Sequence, residues 1–136
     1  MNRIFILLIA ILINLDAFGQ NRINTKLDSL QSVLSNAPSD TAKIAILIGI
    51  SRDISCSDPG KSVYYSEQAL ILSEKIKWQR GIMLASESIG QINDICLNDH
   101  SSAIKYYLRS IAIAQSVSDS LVQANIYNNI GNIYRI

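Results

Sequence analysis

Residues 80–117 read RGIMLASESIGQINDICLNDHSSAIKYYLRSIAIAQSV, and their periodicity decides the fold. In the first half, Ile82, Ala85, Ile89, Ile92 and Cys96 are spaced by three and four, which puts them on one face of a helix. In the second half, Ile104, Leu108, Ile111 and Gln115 trace one stripe, with Tyr107 and Ala114 beside it. Asn98, Asp99, His100 and Ser101 break the pattern between them. A connection of so few residues makes the two helices antiparallel.

The same text recurs along the chain. A shift of 41 residues pairs Ile48 and Gly49 with Ile89 and Gly90, and these with Ile130 and Gly131. It also pairs Asp53 with Asp94, Ile54 with Ile95, Asp58 with Asp99 and Tyr65 with Tyr106. Self-similarity at a fixed period in this range signals a repeat array. The first unit is expected to hold helices at 42–56 and 60–77, separated by Ser57, Asp58 and Pro59. Asp58 serves as N-cap and Pro59 as first helical residue. Asp40 and Asp119 are expected to cap the first helices of units one and three. Gly49, Gly90 and Gly131 fall in mid-helix, where Gly costs about 1 kcal/mol against Ala. Close helix approach is therefore expected at each. Ahead of the array, Ile23, Leu27, Leu30 and Leu34 suggest a short helix ending at Asn36, Ala37 and Pro38.

Composition narrows the function. The chain has 136 residues, a net charge of +1, 49% hydrophobic residues and only 17% charged ones. That balance offers no basic surface for nucleic acid. Two cysteines and one histidine cannot make the usual four-ligand zinc site. Six glycines and two prolines are too few for a turn-rich all-β fold. Part of the apolar content is a leader: Arg3 precedes ten unbroken apolar residues at 4–13, and Ala17 and Gly19 sit where a signal peptidase would cut before Gln20. Residues 1–19 are read as a cleaved signal peptide, with an uncleaved membrane tether as the rival. The apolar run is shorter than the roughly 20 residues a membrane span needs.

The segments NNIGNIY at 128–134 and SAIKYYLRSIAIA at 102–114 resemble the first and second helices of the tetratricopeptide repeat. Ala103, Tyr107 and Ser110 stand at that family's small, aromatic and small positions. The usual unit is about 34 residues, so the longer period here resembles the long-helix variant of kinesin light chains and bacterial peptide-pheromone receptors. The resemblance implies an all-α, right-handed α-solenoid of antiparallel helix pairs. Its boundaries would be 20–39 for a short helix and linker, then units at 40–78 and 79–118 and an incomplete third repeat at 119–136. Two departures stand out: Asn93 replaces an expected aromatic, and the inter-helix turn lacks Gly. The strings SDTAKIAILI at 39–48 and SDPGKSVYYSEQALILSEK at 57–75 resemble the exported N-terminal arrays of bacterial sensor histidine kinases, nucleotide cyclases and related regulators. That implies a periplasmic or envelope-associated sensing or scaffolding part of a signalling protein, here a fragment, since the text stops inside a first helix. A stand-alone exported scaffold is the alternative.

In the family pattern the first helices line a concave groove. Asn125, Asn128, Asn129 and Asn132 share one face of the last helix, and Glu87, Gln91 and Asp94 extend it on the preceding unit. Asn both donates to and accepts from a peptide backbone, so these seven residues are the candidate peptide-binding set, with a solvated polar face as the rival reading. Arg135 lies one turn further on. No Lys/Arg cluster is present there to clamp acidic C-termini. The expected partner is a protein or peptide, with no nucleic acid and no cofactor. The last helix, short of a partner, is expected to self-associate and to be the least protected.

Other residues receive plainer readings. Cys56 and Cys96 are not equivalent within the period, and neighbouring helices lie about 8–10 Å apart, beyond the roughly 7 Å Cα limit for a disulfide. Buried free thiols are expected, although an exported chain permits a disulfide. His100 is a surface turn residue and Trp78 a packing plug. Glu67, Glu74, Asp94 and Asp99 form no convergent acid–base pair. Neither a phosphate loop nor a Ser/His/Asp set is present, so no enzymatic activity is expected.

Overall fold

A computed structural model describes residues 32–135. The expected signal peptide, and the short helix apart from its last turn at 32–35, lie outside the described residues. That turn belongs to a first unit ending at Ser35. The second unit is all-α, with no strand among the described residues. Its helices are α1 (Asp40–Ile54), α2 (Pro59–Lys75), α3 (Gln79–Gln91), α4 (His100–Ser116) and α5 (Ser120–Tyr134), with α3 continuing through a wide π-turn at Ile92–Cys96. Each helix packs on the next in sequence, and α1 also touches α3. No described helix is long and apolar enough to cross a membrane.

The helix starts follow from their caps. Asp58, Asp99 and Asp119 each accept a hydrogen bond from the backbone N–H three residues on, and Pro59 opens α2. At α1 the expected cap is displaced by one. Ser39, in extended conformation, accepts from the Ala42 N–H at 3.2 Å, and Asp40 occupies the first turn. A carboxylate there still complements the helix dipole. The ends of α2 and α4 are alike. Lys77 and Ser118 adopt left-handed backbone with φ of 55° and 56°. The next N–H reaches back five residues in each case, Trp78 to Ser73 and Asp119 to Ala114, both at 2.9 Å. Left-handed Lys and Ser thus end these helices without glycine.

The core runs through Ile44, Ile48 and Ile50 of α1, Tyr65 and Ala69 of α2, Ile82, Met83, Ala85 and Ile89 of α3, and on to Ile126 of α5. From Gly81 to Gly90 every residue of α3 except Leu84 is buried, so α3 is the central helix. On α4 the expected stripe is rotated. Leu108 and Gln115 are exposed, whereas Ala103, Tyr107, Ser110, Ile111 and Ala114 are buried. Small side chains let the helices approach closely, so here they mark the inner face better than the large aliphatic ones. Ile130 and Ile133 pack with Val122 against Tyr107, Ile111 and Ile126, as their spacing predicts.

The three in-phase glycines are not equivalent. A Cβ on Gly90 would lie 2.6 Å from the Tyr107 ring, so the expected close approach is found there. Around Gly49 and Gly131 no atom beyond the helix's own adjacent backbone lies within 4 Å of such a Cβ. The residue matching Tyr107 one unit earlier is Ser66, which leaves no ring to face Gly49. A second close approach, at Gly81, was not anticipated: a Cβ there would meet Ser73 and the ring of half-buried Trp78.

The cysteines correct another expectation. Cys56 and Cys96 form a disulfide with their Cα atoms 5.0 Å apart, and Cys56 is exposed. Helix spacing refers to axes. Two Cα atoms facing each other across adjacent helices each stand about 2.3 Å inside that separation, which brings them into bonding range. Cys56 lies in the turn after α1 and Cys96 ends the π-turn, so the bond joins the ends of α1 and α3.

Buried serines join the first three helices. The Ser66 hydroxyl donates to Ser88 at 2.9 Å. The Ser51 hydroxyl lies 2.7 Å from that of Ser66 and donates to the Ser62 carbonyl at 2.8 Å. Ser62 donates to the Ser51 carbonyl at 2.7 Å. Ser51, Ser66 and Ser88 thus link α1 through α2 to α3.

Candidate functional site

Polar side chains from both helices of the second pair and from α5 meet around Tyr107, and α1 reaches the neighbouring Glu87. Its ring is fully buried against Gly90, and its hydroxyl donates to Asp94 at 3.4 Å. The other Asp94 oxygen lies 3.2 Å from His100 Nδ1. Asn129 of α5 faces the Tyr107 hydroxyl as well, and its side chain opposes the rise in the phenol's pKa. One turn back from Asp94, Gln91 donates to Glu87 at 3.4 Å, and Arg52 of α1 approaches the other Glu87 oxygen at 4.0 Å.

The π-turn explains why Asp94 points to this spot. Asn93 is buried, and its amide donates to the Ile89 carbonyl at 2.8 Å. A side-chain donor competing for an acceptor one turn behind it disturbs the regular ladder. The Leu97 N–H then bonds to the Ile92 carbonyl five residues back.

The electrostatics follow from burial. Loss of water raises the Glu87 pKa; the Arg52 charge opposes this and the Asp119 charge adds to it. Burial likewise pushes the Tyr107 hydroxyl well above its ordinary value, with the Asp94 charge contributing. The phenol therefore stays protonated and acts as a fixed donor. At the helix starts the effect reverses: backbone N–H donors at the cap hold Asp58 below the ordinary carboxylate range.

Of the seven candidate residues, the structure ties Glu87, Gln91, Asp94 and Asn129 into this cluster. Asn125, Asn128 and Asn132 stand exposed on α5. His100 is not a simple turn residue, because the π-turn supplies Asp94 as its partner. Arg52 and the Tyr107 hydroxyl were not anticipated. Arg52 directly precedes Asp53, the residue that the 41-residue shift pairs with Asp94, and that register was the signal available. Of the remaining carboxylates, Glu74 pairs with Arg109, linking α2 to α4.

Beside the cluster lies a pocket of about 300 Å³ between the ends of α1 and α3. Its walls are Arg52, Ser88, Gln91, Ile92, Ile95 and the disulfide, with Ser55 at the edge. Among the described residues no group of His, Cys, Asp and Glu could hold a metal ion. The chain matched no protein-family model, no curated protein and no solved structure.

Proposed function

We propose that the chain is a non-enzymatic interaction module of the tetratricopeptide-repeat type, which captures a peptide or protein segment on the face shared by α1, α3 and α5. One observation carries this reading: Asp94 and Asn129 face the Tyr107 hydroxyl while the neighbouring Glu87 gathers Gln91 and Arg52, so three alternate helices contribute to one polar strip. Such a strip offers donors and acceptors to an extended backbone. The solenoid arrangement is supported by helices that pack in chain order, and by the caps at Asp58 and Asp99 and the left-handed residues at Lys77 and Ser118, each pair in step with the 41-residue period.

The setting proposed is the cell envelope, as the sensing or scaffolding part of a signalling protein. The disulfide favours an oxidising compartment, in keeping with the leader at 1–19. N-terminal sequencing of the exported protein should begin at or near Gln20; an intact Met1 would refute cleavage.

The binding claim is tested by selecting from a displayed random peptide library on the purified chain. Selected peptides should cross-link to α1, α3 and α5. They should lose affinity about tenfold or more in Asn128→Ala/Asn129→Ala, the scale of removing a buried polar anchor. No selection, or cross-links confined to α2 and α4, would overturn the reading.

A further inference from the structure

We infer that the pocket between α1 and α3 is a binding site for a carboxylate carried on a short aliphatic chain. The lining divides by chemistry. The disulfide, Ile92 and Ile95 make an apolar wall, and Ile95 is 72% exposed at its edge. Arg52, Ser88 and Gln91 supply the polar side. Arg52 is the one charged residue of the lining, and no acid accompanies it.

The guanidinium has capacity to spare. Its ion pair with Glu87 spans 4.0 Å, too long for a hydrogen bond. Glu87 lies outside the lining, and burial disfavours its charge. A planar fork of N–H donors matches a carboxylate in two-point geometry. Gln91 spends one amide proton on Glu87 and keeps the second. At about 300 Å³ the pocket is at the small end of ligand sites, which suits a chain of a few carbons and excludes a lipid tail. The pocket shares Arg52 and Gln91 with the proposed groove, and the disulfide, Ser88, Ile92 and Ile95 are its own.

Either a free branched-chain acid or the C-terminal residue of a peptide presents this chemistry. The test is a titration of the ¹⁵N-labelled full chain, followed by amide shifts. The probes are 4-methylpentanoate, its primary amide, and a hexapeptide ending in leucine as free acid or as amide. The expected result is shifts at Ser88, Gln91, Ile92 and Ile95 with an acid and not with its amide. Arg52→Gln should weaken the effect about tenfold or more. Ile95→Ala, which keeps the charge and trims an exposed wall, should weaken it less. Response to the free acid assigns a small-molecule site, and response to the peptide acid alone assigns a C-terminus. The inference is overturned if the amides act as well as the acids, if Arg52→Gln binds unchanged, or if nothing shifts. Peptide shifts confined to α5 would also overturn it while leaving the groove reading intact. Acid binding here with no selected peptide would do the reverse.

Discussion

Replacing each of the three in-phase glycines by alanine should give opposite signs. All three lie within helices, and no described glycine has positive φ. In open helix positions Gly→Ala gains up to about 1 kcal/mol from propensity. Gly49 and Gly131 have open space where the methyl would go, so they should show that gain, less so at Gly131 near the end of α5. At Gly90 the methyl would lie 2.6 and 2.7 Å from two Tyr107 ring carbons. The ring must retreat by roughly 1 Å to reach ordinary contact. It is fully buried and held at its hydroxyl by Asp94, so it cannot simply swing away. Overpacking of this kind costs about 1–3 kcal/mol. The upper end, less the propensity gain, leaves Gly90→Ala about 2 kcal/mol less stable. Thermal melts followed by circular dichroism resolve this easily: a gap of about 3 kcal/mol between Gly49→Ala and Gly90→Ala corresponds to roughly 12–24 °C in Tm. Adding Tyr107→Leu should remove the penalty of the second methyl, read as coupling in a double-mutant cycle. If Gly90→Ala melts as high as Gly49→Ala, the ring does not pack on α3 and the core alignment described here is wrong.

Three further outcomes are expected. Replacing both cysteines by serine opens a crosslink between positions 40 apart and should cost about 4 kcal/mol by loop-closure entropy, measured as a fall in urea midpoint with a steeper slope as the unfolded chain expands; an unchanged midpoint would show the bond to be absent in solution. Glu87 has a folded pKa above its ordinary 4.5, so its favourable contribution is present below the unfolded pKa and is lost as pH rises through the folded one. Glu87→Gln should therefore gain on the wild type from acid to neutral pH, and parallel stability curves would contradict the burial argument. Only Ile126 of α5 is fully buried, whereas α3 is enclosed almost throughout, so amide exchange should be fastest in α5; equal protection of α3 and α5 would contradict this.

The helix boundaries were legible because short polar residues write them. Asp58 with Pro59, Asp99 and Asp119 each mark a start, and three glycines mark a phase. The faces were less legible. Apolar size pointed to Leu108, but the inner side of α4 is chosen by what fits against α3, so Ala103, Ser110 and Ala114 decide it. The π-turn escaped because it arises from one Asn93 amide competing for a carbonyl, a contest with no periodic signature. From that turn follow the partners of Asp94 and the position of Cys96, so the unread parts of the site share one physical origin. The candidate site was legible only in part: Glu87, Gln91 and Asp94 follow one another along α3 and its π-turn, but Arg52 and the Tyr107 hydroxyl enter from elements whose orientation the pattern leaves open.

The bond between Cys56 and Cys96 also governs how the domain would bear load. Pulling on its two ends transmits tension from α1 across sulfur to the turn before α4, and everything between is bypassed. The stretch joining the two cysteines, 40 positions apart, would span about 140 Å if drawn straight, and that length stays hidden from the force however far α1, α4 and α5 are unravelled. A reductant would release it in one step, so a stretched domain would report its own oxidation state as a length.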